Sequence, residues 1–155
     1  MHWSIYRVTV WQVRFERAFD KEVSELDEEV RVELLSHAVV LEMRGPSLGR
    51  PLVDTLSGSA YANMKEMRFN TSQGVWRVAF AFDEDSRAIL LVAGNKAGLW
   101  GKDEKRFYKA LIKLADARFR AYLERVRLAK SKKDAKARSG KAKAPGKGRL
   151  TGDET

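Results

Sequence analysis

Lys65-Glu66-Met67-Arg68-Phe69, followed after Asn70-Thr71-Ser72-Gln73-Gly74 by Val75-Trp76-Arg77-Val78-Ala79-Phe80-Ala81-Phe82, decides the fold. Both runs alternate as β-strands, and the polar, glycine-ended link between them predicts a hairpin. Side chains alternate sides along a strand. Met67, Phe69, Trp76, Val78, Phe80 and Phe82 therefore share the side that faces a core. Glu66, Arg68, Arg77, Ala79 and Ala81 share the other. Pairing Asn70 with Val75 sets Arg68 directly opposite Arg77. Like charges so opposed destabilise a sheet, and an anion between them relieves the conflict. Two guanidiniums fixed on an open sheet face make a phosphate clamp.

Upstream of the hairpin, Trp11-Gln12-Val13-Arg14-Phe15 alternates as a first strand. Phe19, Val23 and Leu26 then fall at helical spacing. Asp27 reads as the N-cap of a second helix with Glu28 and Glu29 in its acidic first turn. That helix runs to about Met43 with Val30, Leu34, Ala38 and Leu41 on its buried stripe, and Gly45-Pro46 stops it. Residues 45–61 read as a loop pinned by Leu48, Leu52, Val53 and Leu56. Downstream, Arg87-Ala88-Ile89-Leu90-Leu91-Val92-Ala93 is a last strand, apolar enough to be central. Residues 103–126 form a long helix. The predicted order is β-α-α-β-β-β-α, an α+β domain with a small, mainly antiparallel sheet, helices on one face and an open basic face.

The chain has 155 residues, 44% of them apolar, and a net charge of +9. The charge is uneven. Residues 127–155 hold ten Lys/Arg and three Asp/Glu, whereas residues 1–126 hold twenty and eighteen. A domain over residues 1–126 and a basic tail over residues 127–155 follow. The tail is too poor in apolar residues to bury a core and is expected to be disordered when free, apart from a helical extension near its start. With no cysteine, disulfides and thiolate–zinc sites are excluded. The two histidines, His2 and His37, suggest no metal site, and no cofactor is implied. No apolar run reaches the length of a membrane span, and the N-terminal residues lack a signal-peptide core. A cytoplasmic protein without a membrane partner is the expectation.

The two hairpin strands, together with Ile89-Leu90-Leu91-Val92-Ala93-Gly94-Asn95-Lys96, resemble the sequence blocks of the RelE/ParE toxin superfamily of type II toxin–antitoxin systems. They are most similar to its HigB-like, phage Gp49-related branch. The resemblance covers residues 10–125 and implies a RelE/ParE-like fold. It also implies a ribosome-dependent mRNA endonuclease, or mRNA interferase, that inhibits translation without a metal. Such an enzyme directs a 2′-OH onto the adjacent phosphate and leaves a 2′,3′-cyclic phosphate. The implied partners are a cognate antitoxin of helix-turn-helix type, the ribosome and its mRNA, and operator DNA through the antitoxin complex. Two other outcomes remain open on the same scaffold: a ParE-like inhibitor of DNA gyrase, and a non-catalytic RNA-binding accessory protein.

Carried over by position, Arg77 contacts the scissile phosphate and Arg68 supports the same charge. Lys96 is a phosphate contact or proton donor. Glu66 is a general base or an orienter of the arginines; equally, it reads as a carboxylate that neutralises them. Lys65, Asn95, Trp100, Lys102 and Tyr108 complete the expected RNA-binding set. Trp100 reads as a stacking platform or a packing anchor, and Tyr108 as an aromatic acid/base or a core residue. The chain departs from the pattern at Ala93, where the HigB-like branch has histidine. It departs again at Asn95-Lys96-Ala97, which lacks the branch's aromatic and one of its lysines. Met64 and Glu66 stand where the RelE branch carries lysines. The basic tail reads as a nucleic-acid arm or as a solvated extension.

Overall fold

The computed structural model describes residues 11–151, with side chains over residues 11–140. Strand β1 (Gln12–Phe15) leads through helix α1 (Arg17–Val23) to helix α2 (Glu28–Arg44). A 3₁₀ turn (Gly45–Ser47) precedes strands β2 (Val53–Thr55), β3 (Met64–Thr71), β4 (Gly74–Phe82) and β5 (Arg87–Asn95), and helix α3 (Gly101–Thr151) follows. The five strands form one sheet in the order β1-β5-β4-β3-β2. β1 runs parallel to β5 and every other pair is antiparallel. The class is α+β, as expected. No described helix is long and apolar enough to cross a membrane.

The hairpin forms as its alternation dictates, with Asn70 opposite Val75 and Arg68 opposite Arg77. Its turn is tied to the start of α2, where the Glu29 carboxylate accepts from Ser72 N (2.8 Å) and Ser72 Oγ (2.6 Å). These bonds hold the Glu29 carboxyl below its ordinary pKa. Val30, Leu34, Ala38 and Leu41 are the buried residues of α2. Leu34 and Leu41 join Phe19 of α1 and Met67, Phe69, Val78, Phe80 and Leu90 of the sheet in one apolar core. Gly45 caps α2 at φ +56°, and a Cβ there would lie 2.3 Å from the Trp11 indole. Glycine is thus required for both the backbone turn and the space.

Two expectations are corrected. First, the segment expected as a loop contributes β2, which pairs with β3 as an edge strand, so the order is β-α-α-β-β-β-β-α. Three residues are too few for alternation to be read. Second, helices lie on both sides of the sheet. Ala79, Ala81 and Ile89 form an apolar floor on the arginine side, and all are buried. The α3 residues Leu111, Ala115 and Phe119 are buried with them. Gly94, opposite Arg77, lets α3 approach; a Cβ there would meet the Phe107 ring at 2.8 Å. Alanine and glycine on that side are what a covering helix needs, not marks of an open face. The chain divides into two compact units after Phe119. The second unit is helical through Thr151. Its residues from 127 to 140 are all exposed. Alanine, lysine and arginine favour helix, and low apolar content argues against burial rather than against helix.

A single arginine ties the first unit together. β5 pairs with β4 through a bulge that leaves Leu91 without a register partner. Arg118 Nη1 donates to the Leu91 carbonyl at 2.8 Å, and Arg118 Nη2 reaches the Glu22 carboxylate of α1 at 2.6 Å. Nearby, the Glu16 carboxylate caps α1 by accepting from Ala18 N at 2.9 Å. Hydrogen bonding from Arg118 depresses the Glu22 pKa. Hydrogen bonds to charged groups contribute ~1.5–3 kcal/mol each. Arg118→Ala is therefore expected to lower unfolding stability by about 2–3 kcal/mol, read by urea denaturation at neutral pH. Because the folded pKa of Glu22 is lowered, its share of that difference is present above the unfolded carboxylate pKa. It is lost as pH falls through the folded value, so the gap between wild type and variant narrows below about pH 4.

Candidate functional site

Pleating puts Arg68 and Arg77 on the same side of the sheet, facing each other across β3 and β4. The anion between them is the chain's own. Glu66, two residues before Arg68 on the same side, is 3% exposed. Its Oε2 accepts from Arg68 Nε at 3.1 Å and Nη2 at 2.8 Å. Its Oε1 lies 3.8 Å from Arg77 Nε and is buried without a hydrogen-bond partner among the described residues. Asp54, brought opposite Glu66 by β2, is 3.3 Å from Arg68 Nη2. The Glu66 hydrogen bond raises the Arg68 pKa, with Asp54 adding to the effect. The expected open clamp is thus occupied by internal carboxylates in this conformation.

Helix α3 closes the other flank. Arg77 Nε donates to the Tyr108 hydroxyl oxygen at 3.2 Å, and Arg77 Nη1 donates to the Trp76 carbonyl at 3.0 Å. Since the Tyr108 oxygen accepts here, its own proton is left for another acceptor. Burial raises the Tyr108 pKa, partly offset by the Arg77 hydrogen bond, so the phenol stays protonated at neutral pH. Lys96 Nζ lies 5.8 Å from the centre of the Tyr108 ring and donates to Glu104 Oε2 at 2.6 Å. That hydrogen bond lowers the Glu104 pKa. Glu66, Arg68, Arg77, Tyr108 and Lys96 are therefore one connected cluster, with Asp54 and Glu104 at its ends. It offers a carboxylate, a phenol, a lysine and two guanidiniums, the inventory for proton transfer beside a charged phosphate.

Other expected residues lie apart from this cluster. Lys65 pairs with Phe80 on the opposite side of the sheet, because a residue next to Glu66 must point the other way. The Asn95 side-chain oxygen accepts from Val75 N and Ala97 N, both at 3.0 Å, and so shapes the end of β5. Trp100 is 81% exposed and lines a shallow depression with Lys102, Asp103 and Arg106. At that exposure Trp100 does not act as a packing anchor. Asp54 and Glu104 were not foreseen as members of the site. Their signals were faint: an acid between Val53 and Thr55 in a segment read as a loop, and an acid in a helix's first turn.

The family described as Phage derived protein Gp49-like (DUF891) matches residues 21–120. A protein described as "Putative toxin HigB2" of Mycobacterium tuberculosis is 44% identical over 110 residues, which cover 70% of this chain and 52% of that protein. This chain therefore spans about half the length of that relative. "Putative toxin HigB3" of the same organism is 48% identical over 85 residues, covering 54% of this chain and 68% of that protein. Among solved structures, a mutant of the E. coli toxin RelE in the free state is similar at a TM-score of 0.43. It shares 15% identity and covers 63% of this chain and 97% of its own. With two thirds of one HigB relative covered at 48% identity and its residues 21–120 within the Gp49-like pattern, the chain belongs to the Gp49-like, HigB-type toxin family.

Proposed function

We propose that this protein is the toxin of a type II toxin–antitoxin pair and cuts mRNA on the ribosome, in the cytoplasm, until its antitoxin binds. The observation that carries the proposal is the cluster itself: a buried carboxylate between two facing arginines, with a protonated phenol on one of them. In the proposed reaction, Glu66 takes the proton of a 2′-OH. The 2′-oxygen attacks the adjacent phosphorus, and the P–O bond to the leaving 5′-oxygen breaks. That oxygen receives a proton from Tyr108, with Lys96 beside it. Arg77, supported by Arg68, stabilises the added charge on the phosphoryl oxygens. A 2′,3′-cyclic phosphate and a 5′-hydroxyl result. For this to occur, the substrate phosphate displaces part of the carboxylate pairing seen here, at Glu66 or at Glu104. Trp100 with Lys102 forms a surface on which a neighbouring base stacks. Through the antitoxin complex, operator DNA is the further partner.

The exposed helical segment after residue 126 supports an accessory role. Lys130, Lys132, Lys133, Lys136 and Arg138 present cationic side chains with Asp134 among them. Their proposed role is sequence-independent binding of RNA phosphates.

In a purified translation system, the protein is expected to produce mRNA cuts that Arg77→Ala reduces by at least about 100-fold. Tyr108→Phe is expected to slow cleavage by about 100-fold or more while leaving RNA binding in place. Because the acid must hold its proton, the rate falls as pH rises through the raised phenol pKa, above the ordinary tyrosine value of ~10. Intact mRNA with trapped DNA breaks in a gyrase assay would overturn the nuclease in favour of the ParE-like outcome. RNA binding without cutting would favour the accessory-protein outcome. A full-length variant with Lys130, Lys132, Lys133, Lys136 and Arg138 changed to Gln should bind RNA more weakly. The slope of log K against log salt should become shallower by about 0.7 for each phosphate that the variant no longer neutralises. An unchanged slope removes the arm from the mechanism.

A further inference from the structure

The three carboxylates that occupy the cations of the cluster are not held alike. Glu66 is buried, its Oε2 takes two hydrogen bonds from Arg68, and its Oε1 lies 3.8 Å from Arg77 Nε. Drawing it away would leave a buried charge unpaired and two guanidiniums opposed across the hairpin. Asp54 has three partners. It accepts from Arg50 Nε at 3.1 Å and from Thr55 N at 2.8 Å, and it lies 3.3 Å from Arg68 Nη2. Glu104 has a single one. Among the described residues its carboxylate is bonded to Lys96 Nζ alone, at 2.6 Å, and its side chain is 37% exposed.

Glu104 can leave Lys96 and remain stable. It stands in the first turn of α3, at the positive end of the helix, where a carboxylate is favoured with or without a lysine beside it. Lys96 is fixed by contrast. Its N–H donates to the Val75 carbonyl at 2.8 Å, its carbonyl accepts from Leu99 N at 3.1 Å, and its side chain is only 16% exposed. The ammonium lies 5.8 Å from the centre of the Tyr108 ring. Tyr108 follows Glu104 by one helical turn, and its hydroxyl holds Arg77. An anion taken up by Lys96 in place of Glu104 therefore lies next to the ring that holds Arg77, while every Glu66 contact is kept.

We infer that Lys96 and Glu104 form an exchangeable phosphate subsite: Glu104 occupies the lysine in the free protein, and a phosphodiester of the bound RNA strand displaces it. The inference rests on the proposed RNA cleavage and adds which carboxylate yields to the substrate and which ones stay. The exchange trades one anion for another on the same ammonium, so no buried charge is left unpaired. Lysine is a point charge that accepts either partner, whereas Arg68 keeps its two-pronged hold on Glu66. Glu104 thus acts as a placeholder that a phosphate must outcompete before the strand is seated.

The test measures affinity of the full-length protein for ribosomes programmed with an mRNA made uncleavable by 2′-O-methyl riboses. In parallel, the Glu104 carboxyl is followed by carbon-13 NMR as an oligonucleotide of the same sequence is added. Glu104→Gln should tighten binding by at least about twofold, because no ion pair then has to be broken. A smaller gain, or a loss, would overturn the exchange and leave the nuclease reading standing. At least half of the gain should vanish in the Lys96→Met background. A gain that persists beyond that is a general effect of charge and refutes the placeholder role. In the NMR titration, the Glu104 pKa should rise toward the ordinary glutamate value once the oligonucleotide saturates the protein. A Glu104 carboxyl that does not move refutes the displacement directly. Inorganic phosphate alone should move it less, and an equal shift would overturn the RNA strand as the occupant. If these signatures appear in a protein that cuts no mRNA, the exchange stands and the nuclease falls. Failure of wild type to bind the programmed ribosome would overturn both together.

Discussion

A carboxylate buried between two arginines that a strand register forces to face each other is the constraint on which this structure depends. Left alone, Arg68 opposite Arg77 would weaken the hairpin. Glu66 resolves the conflict at the cost of its own burial, and that cost is tolerable only while both cations stay in place. The pairing and the apolar alternation enforce the same register. A one-residue slip would turn Met67, Phe69 and Val78 out of the core and send the arginines into it. Core packing and site geometry therefore share one cause.

The sheet gives its two sides different tasks. On one, α1 and α2 bury a continuous apolar core with Phe69, Val78 and Phe80. On the other, α3 rests on Ala79 and Ala81 at one end and places Tyr108 over Arg77 at the other. The small residues set the helix close to the sheet, and this closeness makes the phenol–guanidinium hydrogen bond possible. Arg118 fixes the far end of that helix segment by holding the bulged Leu91 carbonyl and Glu22 together.

The cluster as folded is neutralised from within. Glu66 and Asp54 engage Arg68, and Glu104 engages Lys96. Any anionic ligand of these cations must compete with these carboxylates.

From residue order alone, alternation and helical spacing established the hairpin, its register, the buried stripe of α2 and the facing of Arg68 and Arg77. These follow from local periodicity, which any chain of this pattern must obey. Placing Lys65 with Glu66 ignored that same alternation. Local pattern offered Glu66 as a partner of the arginines but revealed neither Asp54 beside Arg68, which arrives on a strand too short to read, nor Glu104 beside Lys96, which arrives from a separate element. The cover over Ala79 and Ala81, the hydrogen bond between Tyr108 and Arg77 and the exposure of Trp100 were decided by packing. They depend on how a distant helix settles on the sheet, and that is determined by shape and burial over the whole unit, not by the neighbours of any one residue.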